Sequence, residues 1–404
     1  MGFRNLDDAD LKGRRVLVRV DFNVPMHDGE VADVSRIERN SPTITEIADR
    51  GGKVILLSHY GRPKGREPSE SLKPVVAAVS RIIGRPIGFA DDCIGDAAEQ
   101  AVARLKPGDI VCLENTRFYK GEEKNHPAFA AALAKLGDIY VDDAFSVAHR
   151  AHASVEAIAH LLPAYAGRAM QEELAALEKA LHTPQRPVAA IVGGAKVSTK
   201  LDLLGNLLNH VDTLIIGGGM ANTFLAAQGK PVGKSLCEND LRQTARDILV
   251  KAKSLNREIV LPVDVVVAQA FAAHAPSRVV SVDDVGNNEM ILDIGPRTVE
   301  YVVSVLARTK TLVWNGPFGA FEMEPFDTGT IEVAEAAAEL TASGKLVSIA
   351  GGGDTMAALN LAGVTGRFTY VSTAGGAFLE WLEGKVLPGV EVLKATPTPA
   401  AASP

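Results

Sequence analysis

Short apolar runs alternate with longer amphipathic stretches along almost the whole chain. Runs of four or five mostly apolar residues, such as Val16–Val20, Val54–Leu57 and Ala189–Val192, are predicted as strands. Stretches in which apolar residues recur with a helical period, such as Pro74–Ile83 and Ile331–Leu340, are predicted as helices. Near-continuous apolar strands that alternate with helices are typical of parallel sheets covered on both faces.

The same pattern continues to near the end of the sequence. Further strands are predicted at Ile110–Leu113, Ile139–Val141, Leu214–Ile216, Ile259–Val267, Leu312–Trp314 and Leu346–Ile349. Further helices are predicted at Ala128–Leu136, Leu201–Leu208, Asp240–Leu255 and Thr298–Ala307. About a dozen strands are too many for one open sheet. The predicted fold class is therefore α/β, with two Rossmann-like three-layer domains whose parallel sheets are joined by a helix and a hinge.

The junction between the domains is predicted within the amphipathic run Met170–Leu181. A rigid interdomain helix over 169–186 explains this run, although an ordinary crossover helix explains it nearly as well. The two domains then span 1–168 and 187–385. The Pro/Ala-rich tail, 395–404, is expected to be disordered because it has too few large apolar residues to pack.

Composition excludes several classes of protein. The 404 residues include 47% hydrophobic and 23% charged residues, and the net charge is −7, which argues against a nucleic-acid binder. Three scattered cysteines favour a reducing cytoplasm over a disulfide-linked or zinc-binding protein. The charged start lacks the apolar segment of a secretory signal, and no apolar run approaches the ~20 residues of a membrane span. A cytoplasmic protein without a membrane partner is expected.

Charged and polar side chains follow the predicted strands of the first half. They are Asp21, Asn23, Arg36, His59, Arg62, Arg117 and Arg150. In open α/β sheets, ligands bind beyond the carboxyl ends of the strands. A single arginine would mean little, because most surface arginines are solvated. Several at equivalent positions favour a small polyanionic ligand, since the guanidinium matches phosphate and carboxylate geometry.

Glycine clusters follow the predicted strands of the second half. They are Gly193-Gly194, Gly217-Gly218-Gly219, Gly316 and Gly351-Gly352-Gly353. Each lies near a predicted helix start, where free N–H groups favour an anion and glycine lets a phosphate approach the backbone. Any one cluster is better explained as a tight turn, but their recurrence favours a site for a phosphate chain, whose charge Lys196 and Lys200 would neutralise.

Two common phosphate motifs and two metal motifs do not fit. A P-loop ending at Gly233-Lys234-Ser235 would need glycine at position 228, which is Gln228, and the dinucleotide fingerprint fails at its third glycine. The pair His149 and His152 lacks a further metal-ligand residue at useful spacing, so substrate contact or a helix-start hydrogen bond explains it better. The acidic pair that follows Val141 is as often a helix cap as a metal site.

Nine segments in sequence order resemble the phosphoglycerate kinase family. They are RVDFNVP (19–25), SHYGRP (58–63), LENTRF (113–118), AHRAHAS (148–154), GGAKVSTK (193–200), GGGMA (217–221), WNGP (314–317), GGGDT (351–355) and LEGK (382–385). Each segment alone is weak, but nine in sequence order are specific, and the resemblance as a whole runs from about Asp8 to Val392.

The resemblance implies reversible, Mg²⁺-dependent phosphoryl transfer from 1,3-bisphosphoglycerate to ADP, giving 3-phosphoglycerate and ATP in glycolysis and gluconeogenesis. It also implies a monomer whose domains close around a hinge near Ser372 and Thr373, with in-line transfer afterwards. The segment 386–394 would return to the first domain. Such chemistry requires positioning and positive charge rather than a nucleophilic side chain.

Residue roles follow from the matched segments. By resemblance, the substrate-binding residues are Asp21, Phe22, Asn23, Arg36, His59, Tyr60, Gly61, Arg62, Arg117 and Arg150. The implied nucleotide-binding residues are Lys196, Lys200, Gly217, Gly218, Leu292, Asn315, Pro317, Glu322, Gly352, Gly353, Asp354 and Thr355. Arg36, Lys196 and Lys200 would be catalytic, and Asp354 would bind Mg²⁺.

The sequence departs from the family pattern at two places. Ala374 stands where glycine is expected, and less freedom at positive φ there would stiffen the hinge. Ser146-Val147 replaces a smaller pair on the approach to Arg150. Neither departure falls on a residue with an implied chemical role.

Two other functions compete with the kinase. A two-domain receptor for a phosphorylated acid would explain the basic first half, but it would leave the glycine clusters and Lys196 and Lys200 without a role. A dehydrogenase would explain a nucleotide-binding half, but the fingerprint is missing. The kinase accounts for both halves.

Overall fold

The computed structural model describes residues 2–394 and divides into two compact units. The first unit extends to Leu174 and includes the segment from Val386 on, and the second is Ala175–Lys385. The predicted tail, 395–404, lies outside the described residues. Within the described part of the chain, no helix is both long and apolar enough to cross a membrane.

The first unit contains a six-stranded parallel sheet and a short hairpin. Its strands are β1 (Arg15–Arg19), β2 (Met26–His27), β3 (Glu30–Val31), β4 (Lys53–Leu57), β5 (Ile87–Ala90), β6 (Ile110–Leu113), β7 (Ile139–Asp142) and β8 (Ala164–Ala166). The sheet order is β5-β6-β4-β1-β7-β8, and β2 pairs with β3 alone. The four central strands are almost completely buried, as their apolar sequences predict.

Helices connect these strands. They are α1 (Ser35–Asp49), α2 (Lys73–Ile83), α3 (Gly95–Ala103), α4 (Lys120–Glu123), α5 (Pro127–Ala134) and α6 (Arg168–Leu177), the last followed by a π-helical turn over Glu178–His182. On α2, Val75, Val76 and Val79 recur on one helical face and pack into the core between this helix and the sheet.

The second unit contains a second six-stranded parallel sheet. The strands of this unit are β9 (Val188–Val192), β10 (Thr213–Ile216), β11 (Glu258–Val260), β12 (Asp264–Ala268), β13 (Ser277–Ser281), β14 (Met290–Ile294), β15 (Thr311–Asn315), β16 (Val347–Gly351) and β17 (Tyr370–Ser372). The order of the parallel sheet is β11-β10-β9-β15-β16-β17. The predicted α/β class with parallel sheets is confirmed in both units.

Helices cover the second sheet, and one more helix follows it. They are α7 (Leu201–His210), α8 (Gly218–Ala227), α9 (Arg242–Ser254), α10 (Pro296–Arg308), α11 (Thr328–Ala342), α12 (Gly353–Leu361), α13 (Gly376–Leu382) and, in the returning segment, α14 (Pro388–Lys394). In α14, Gly389 donates its N–H to the Ala148 carbonyl oxygen at 2.8 Å, and Leu393 is buried. The C-terminal segment is therefore part of the first unit's core.

The single strand predicted over Ile259–Val267 is wrong. Two strands occupy this region, and they belong to different sheets: β11 lies at the edge of the parallel sheet, whereas β12 is the centre of an antiparallel sheet with the order β13-β12-β14. Pro262 lies between them, and proline cannot donate a hydrogen bond to a continuing strand.

Ala374 does not adopt the positive φ on which its expected effect on the hinge was based. Positive φ in this segment falls on the next residue, Gly375, at 53°. Alanine is therefore compatible with the backbone conformation at its position.

Candidate active site

The polar residues predicted in the first half converge at one edge of the first sheet. They follow β1, β4, β6 and β7, which are neighbours in the sheet and parallel, so their carboxyl ends meet. The fold thus brings residues that are more than one hundred positions apart into one region.

Asp21 and Asn23 form the centre of this region together with Arg36. The Arg36 Nη1 atom donates to Asp21 Oδ2 and to the Asn23 carbonyl oxygen, both at 2.9 Å. Ser146 Oγ donates to the same Asp21 oxygen at 2.5 Å. Arg36 lies on the first turn of α1, and its side chain remains partly exposed. A positive group is therefore held at this edge of the sheet.

The segment after β4 is fixed by backbone contacts. Gly61 N–H donates to Asn23 Oδ1 at 2.9 Å, and Phe22 N–H donates to Ser58 Oγ at 2.9 Å. Tyr60 N–H donates to the side chain of Asn115 at 3.1 Å. The loops after β1, β4 and β6 are therefore joined into one rigid structure.

His59 and Arg117 are buried at this edge, and Arg117 lacks a full set of hydrogen-bond partners. Burial, reinforced by the positive charges of neighbouring arginines, holds the pKa of His59 well below its usual range. Arg117 donates from Nη1 to the Gly61 carbonyl oxygen at 2.7 Å, and its Nε atom lies 3.7 Å from Glu123 Oε1 in an ion pair. Its buried Nη2 atom has no hydrogen-bond partner among the described residues. Unpaired buried donors of this kind indicate an anion that the protein itself does not supply.

Arg62 and Arg150 lie at the same edge with fewer contacts. Arg62 is exposed, and Arg150 is half-buried with its Nε atom 3.3 Å from His149 Nε2. Nearby His152 is buried, and burial together with adjacent arginines lowers its pKa to about 4. The edge therefore carries an excess of positive charge from arginine, and burial beside these arginines disfavours protonation of His59 and His152.

The glycine clusters of the second half converge at the carboxyl edge of the second sheet. They follow β9, β10, β15 and β16, which are also adjacent and parallel. The loops touch closely, since a Cβ atom on Gly193 would lie 1.9 Å from the Pro317 carbonyl oxygen. Gly218, likewise, lies against the backbone of Gly194. Here glycine is required for packing between loops as well as for access to the backbone.

Lys200 is bound within these loops. Its Nζ atom donates to Asn315 Oδ1, and Asn315 Nδ2 donates to the Gly351 carbonyl oxygen at 2.8 Å. Burial lowers the pKa of Lys200, and the carboxylates of Glu383 and Asp354 partly offset that effect. Lys196, by contrast, is exposed.

The N-terminus of α12 is open at its first turn. Gly352 is the N-cap with φ of 102°, and Gly353 has no atom near the position of a Cβ. Thr355 Oγ1 accepts a hydrogen bond from Gly316 N–H at 2.7 Å, and Asp354 is exposed on the same turn. This helix start can accept a phosphate group on its free N–H groups.

Three predicted nucleotide residues lie outside these loop contacts or at their edge. Leu292 is on β14, buried in a small apolar cluster with Phe326, and its carbonyl oxygen accepts from Ala320 N–H at 2.8 Å. Glu322 is exposed two residues further along. Gly217, the N-cap of α8, lies against Phe318.

Sequence reasoning missed two buried amides that organise the first site. Asn115 accepts from Tyr60 N–H and Arg117 N–H and donates to the Tyr60 and Glu70 carbonyl oxygens. Asn40 accepts from Asp21 N–H and donates to Asp143. Both amides are almost fully buried, and buried amides are normally hydrogen-bonded. The sequence itself shows only an asparagine among polar neighbours, which does not reveal its burial.

Comparison with known proteins assigns a family to this pair of sites. The family model described as phosphoglycerate kinase matches residues 6–385. The chain is 65% identical over 392 residues to the phosphoglycerate kinase of Bradyrhizobium diazoefficiens, covering 97% of this chain and 98% of the relative. The chain belongs to the phosphoglycerate kinase family.

Solved phosphoglycerate kinases share the fold. The structure from Coxiella burnetii has a TM-score of 0.91 and 43% identity, covering 97% of this chain and 99% of that one. The structure from Pyrococcus horikoshii has a TM-score of 0.80 and 30% identity, covering 96% and 98%. As a phosphoglycerate kinase, the chain is a phosphotransferase with a carboxyl group as acceptor, and its role is glycolytic.

Proposed function

We propose that the carboxyl edge of the first sheet binds 3-phosphoglycerate and 1,3-bisphosphoglycerate. The observation that carries this assignment is the buried guanidinium of Arg117 beside His59, whose Nη2 atom has no hydrogen-bond partner among the described residues. Arg62, Arg117, Arg150 and His59, with the Tyr60 and Gly61 backbone, would hold the phosphate that is not transferred. Asp21, Phe22 and Asn23 would hold the glycerate end.

The carboxyl edge of the second sheet would bind ADP and ATP. The start of α12, with Gly352, Gly353 and Thr355, is suited to the nucleotide phosphates because free N–H groups lie on an accessible turn. The remaining nucleotide contacts would come from Lys196, Lys200, Gly217, Gly218, Leu292, Asn315, Pro317 and Glu322.

Asp354 would hold Mg²⁺ with the nucleotide. Among the described residues, no group of three or more His, Cys, Asp or Glu side chains is placed to bind a metal ion. A single exposed carboxylate on the phosphate-binding turn nevertheless fits Mg²⁺, which proteins usually hold through one or two carboxylates and substrate phosphates. When bound, the ion would neutralise charge on the transferred phosphate.

The protein would act on the transfer by position and charge. A carboxylate oxygen of 3-phosphoglycerate attacks the γ-phosphorus of ATP as the bond to ADP breaks, and the reverse step regenerates ATP. Arg36, held by Asp21, and Lys196 and Lys200 would stabilise the negative charge that spreads over the transferred group. Because the substrates are assigned to different units, turnover would include a hinge closure that also excludes water.

The proposal also includes the compartment, the oligomeric state and the partners of the enzyme. We expect it to act in the cytoplasm as a monomer on small molecules, without nucleic acid or membrane partners. Its thiols Cys93 and Cys112 are buried and unpaired, in keeping with a reducing compartment.

The deciding experiment is a steady-state assay of the purified chain with ATP, Mg²⁺ and 3-phosphoglycerate. Formation of 1,3-bisphosphoglycerate is followed by a coupled reductive step. Turnover that requires all three components supports the proposal. Absence of binding of either substrate by calorimetry would contradict the assignment of the two sites.

A further inference from the structure

Arg19, the last residue of β1, is almost completely buried beside His59. Its Nε atom donates to Ser154 Oγ at 2.9 Å, and Nη1 donates to the Val20 carbonyl oxygen. Nη2 lies 3.0 Å from His59 Nδ1. Each guanidinium nitrogen of Arg19 thus has a protein partner, whereas Nη2 of Arg117 has no hydrogen-bond partner among the described residues.

The contact between Arg19 and His59 has only one chemically consistent form. A guanidinium has donors and no acceptor, and it does not lose its proton in proteins. His59 Nδ1 must therefore accept the hydrogen bond and carry no hydrogen. The imidazole is then neutral, and its single hydrogen is on Nε2.

The other states of His59 would place two N–H donors against each other at this distance. That conflict would occur where both side chains are buried and water cannot separate them. Four neighbouring groups act electrostatically on the ring, and none of them is negative: Arg19, Arg117, Arg36 and His152. Together with burial, they disfavour protonation of His59. No compensating carboxylate is among them.

We propose that Arg19 is a positioning residue that fixes His59 as the Nε2–H tautomer, so that a neutral N–H donor faces the substrate phosphate. The tautomer rests on the Arg19 contact alone. The role of the His59 Nε2–H donor in binding phosphate rests on the proposed function. Arg19 thus acts through His59 rather than by touching the ligand, and the donor remains available without His59 being protonated.

The chain offers an internal control in His210, in the last turn of α7. Its Nδ1 atom lies 2.8 Å from the Asn206 carbonyl oxygen. A carbonyl oxygen only accepts, so Nδ1 must carry the hydrogen and the neutral ring must be the opposite tautomer. One spectrum of the intact protein should therefore contain both patterns.

The test is long-range ¹H–¹⁵N NMR of the full, ligand-free chain in mildly alkaline buffer. Signals are assigned by their loss in His59→Gln and His210→Gln. We expect a pyridine-type nitrogen at His59 Nδ1 and a pyrrole-type nitrogen at His59 Nε2, with the reverse at His210. A mixed or reversed pattern at His59 overturns the proposal, whatever the activity of the enzyme.

Arg19→Met tests the cause while filling a similar volume. We expect the two nitrogen shifts of His59 to move towards a tautomer average and 3-phosphoglycerate to bind about tenfold more weakly, as for the loss of one hydrogen bond to a charged group. Unchanged His59 shifts would show that Arg19 has only a structural role. If the variant does not fold, the wild-type spectrum still decides.

Addition of 3-phosphoglycerate separates this proposal from the proposed function. The His59 Nε2–H proton is expected to shift on binding. If the ligand binds and that proton does not shift, the phosphate contact is wrong, while the tautomer assignment stands on the ligand-free spectrum.

Discussion

Arg36 shows how a single charge is prepared for the reaction. Its guanidinium is tied by one nitrogen to Asp21 and to the Asn23 backbone, and about a third of its side chain remains exposed. Such a charge costs little to hold in the resting enzyme, and its value is greatest when negative charge spreads over the transferred group.

We expect Arg36→Ala to reduce kcat by about 10²–10³-fold, as for the loss of one charged transition-state contact. Binding of 3-phosphoglycerate should change by no more than about threefold, because the ground state uses other residues. Steady-state kinetics and calorimetry measure the two effects. Arg81→Ala, at an exposed position on α2, is the control. An unchanged kcat would remove Arg36 from the mechanism.

Asp354→Asn tests the metal assignment at the same scale. Loss of the carboxylate charge should weaken binding of Mg-nucleotide by about tenfold or more, and leave binding of 3-phosphoglycerate nearly intact. Calorimetry with each ligand separately is the measurement, and Asp247→Asn on exposed α9 is the control. Equal losses for both ligands would contradict the division into two sites.

At the scale of elements, the loops at the ends of parallel strands are packed against one another as tightly as a core. The loop after β9 touches the loop after β15 at Gly193 and Pro317, with no room for a side chain. The nucleotide loops are therefore held in place by backbone contact, which explains why small residues cluster there.

Gly193→Ala should destabilise the second unit by about 1–3 kcal/mol, because the added methyl group has no space. The matched control is Gly205→Ala within α7, where a Cβ meets no atom within 4 Å. That change should stabilise the helix by about 0.5–1 kcal/mol. Urea unfolding followed by tryptophan fluorescence compares the two variants. Equal effects would contradict the close approach at Gly193.

An ion-pair network joins α6 to α1. Arg168 Nε donates to Glu46 Oε2 at 2.7 Å, and this hydrogen bond lowers the pKa of Glu46 from its ordinary value of 4.5. A lowered pKa stabilises the folded state above pH 4.5, and that contribution is lost as pH falls through the folded value.

Arg168→Met should therefore cost about 1 kcal/mol at neutral pH, and the difference from wild type should shrink on acidification below pH 4.5. Urea midpoints from circular dichroism at several pH values provide the comparison. Arg14→Met removes an exposed pair with Asp10 and should have little effect. A deficit that is constant with pH would exclude the Glu46 pairing as its cause.

Helices and strands could be predicted from the sequence where the hydrophobic period agrees with the turn residues that flank it. Elsewhere the prediction was less successful. Most central strands and helices follow directly from apolar runs and helical periods. The antiparallel sheet of β12, β13 and β14 was not predicted, because β12 is as apolar as a parallel strand. The candidate site residues at strand ends could be proposed from their positions alone. Asn115 and Arg19 could not, because their roles arise from contacts 55 and 40 residues away along the chain.

At the scale of the whole molecule, the chain leaves the first unit and later returns to it. The returning helix α14 packs on β8 and on the turn containing Ala148, and Leu393 is 2% exposed. The two tryptophans of the protein, Trp314 and Trp381, both lie in the second unit. Fluorescence therefore reports the second unit, and circular dichroism reports both.

Leu393→Ala should destabilise the first unit by about 2–4 kcal/mol, as for other buried leucines. The transition seen by circular dichroism should shift to lower urea concentration, while the tryptophan transition stays in place. Val386→Ala, at an exposed position of the same segment, is the control. An equal shift of both signals would show that the two units unfold as one.

The return of the chain also has a consequence for synthesis. The second unit is one continuous stretch, Ala175–Lys385, and has all its residues once that stretch has left the ribosome. The first unit begins to emerge earlier, but it lacks α14 until the whole second unit has been made. Domains usually fold in the order in which they are made. Here the half of the protein that is made first is the last to be completed.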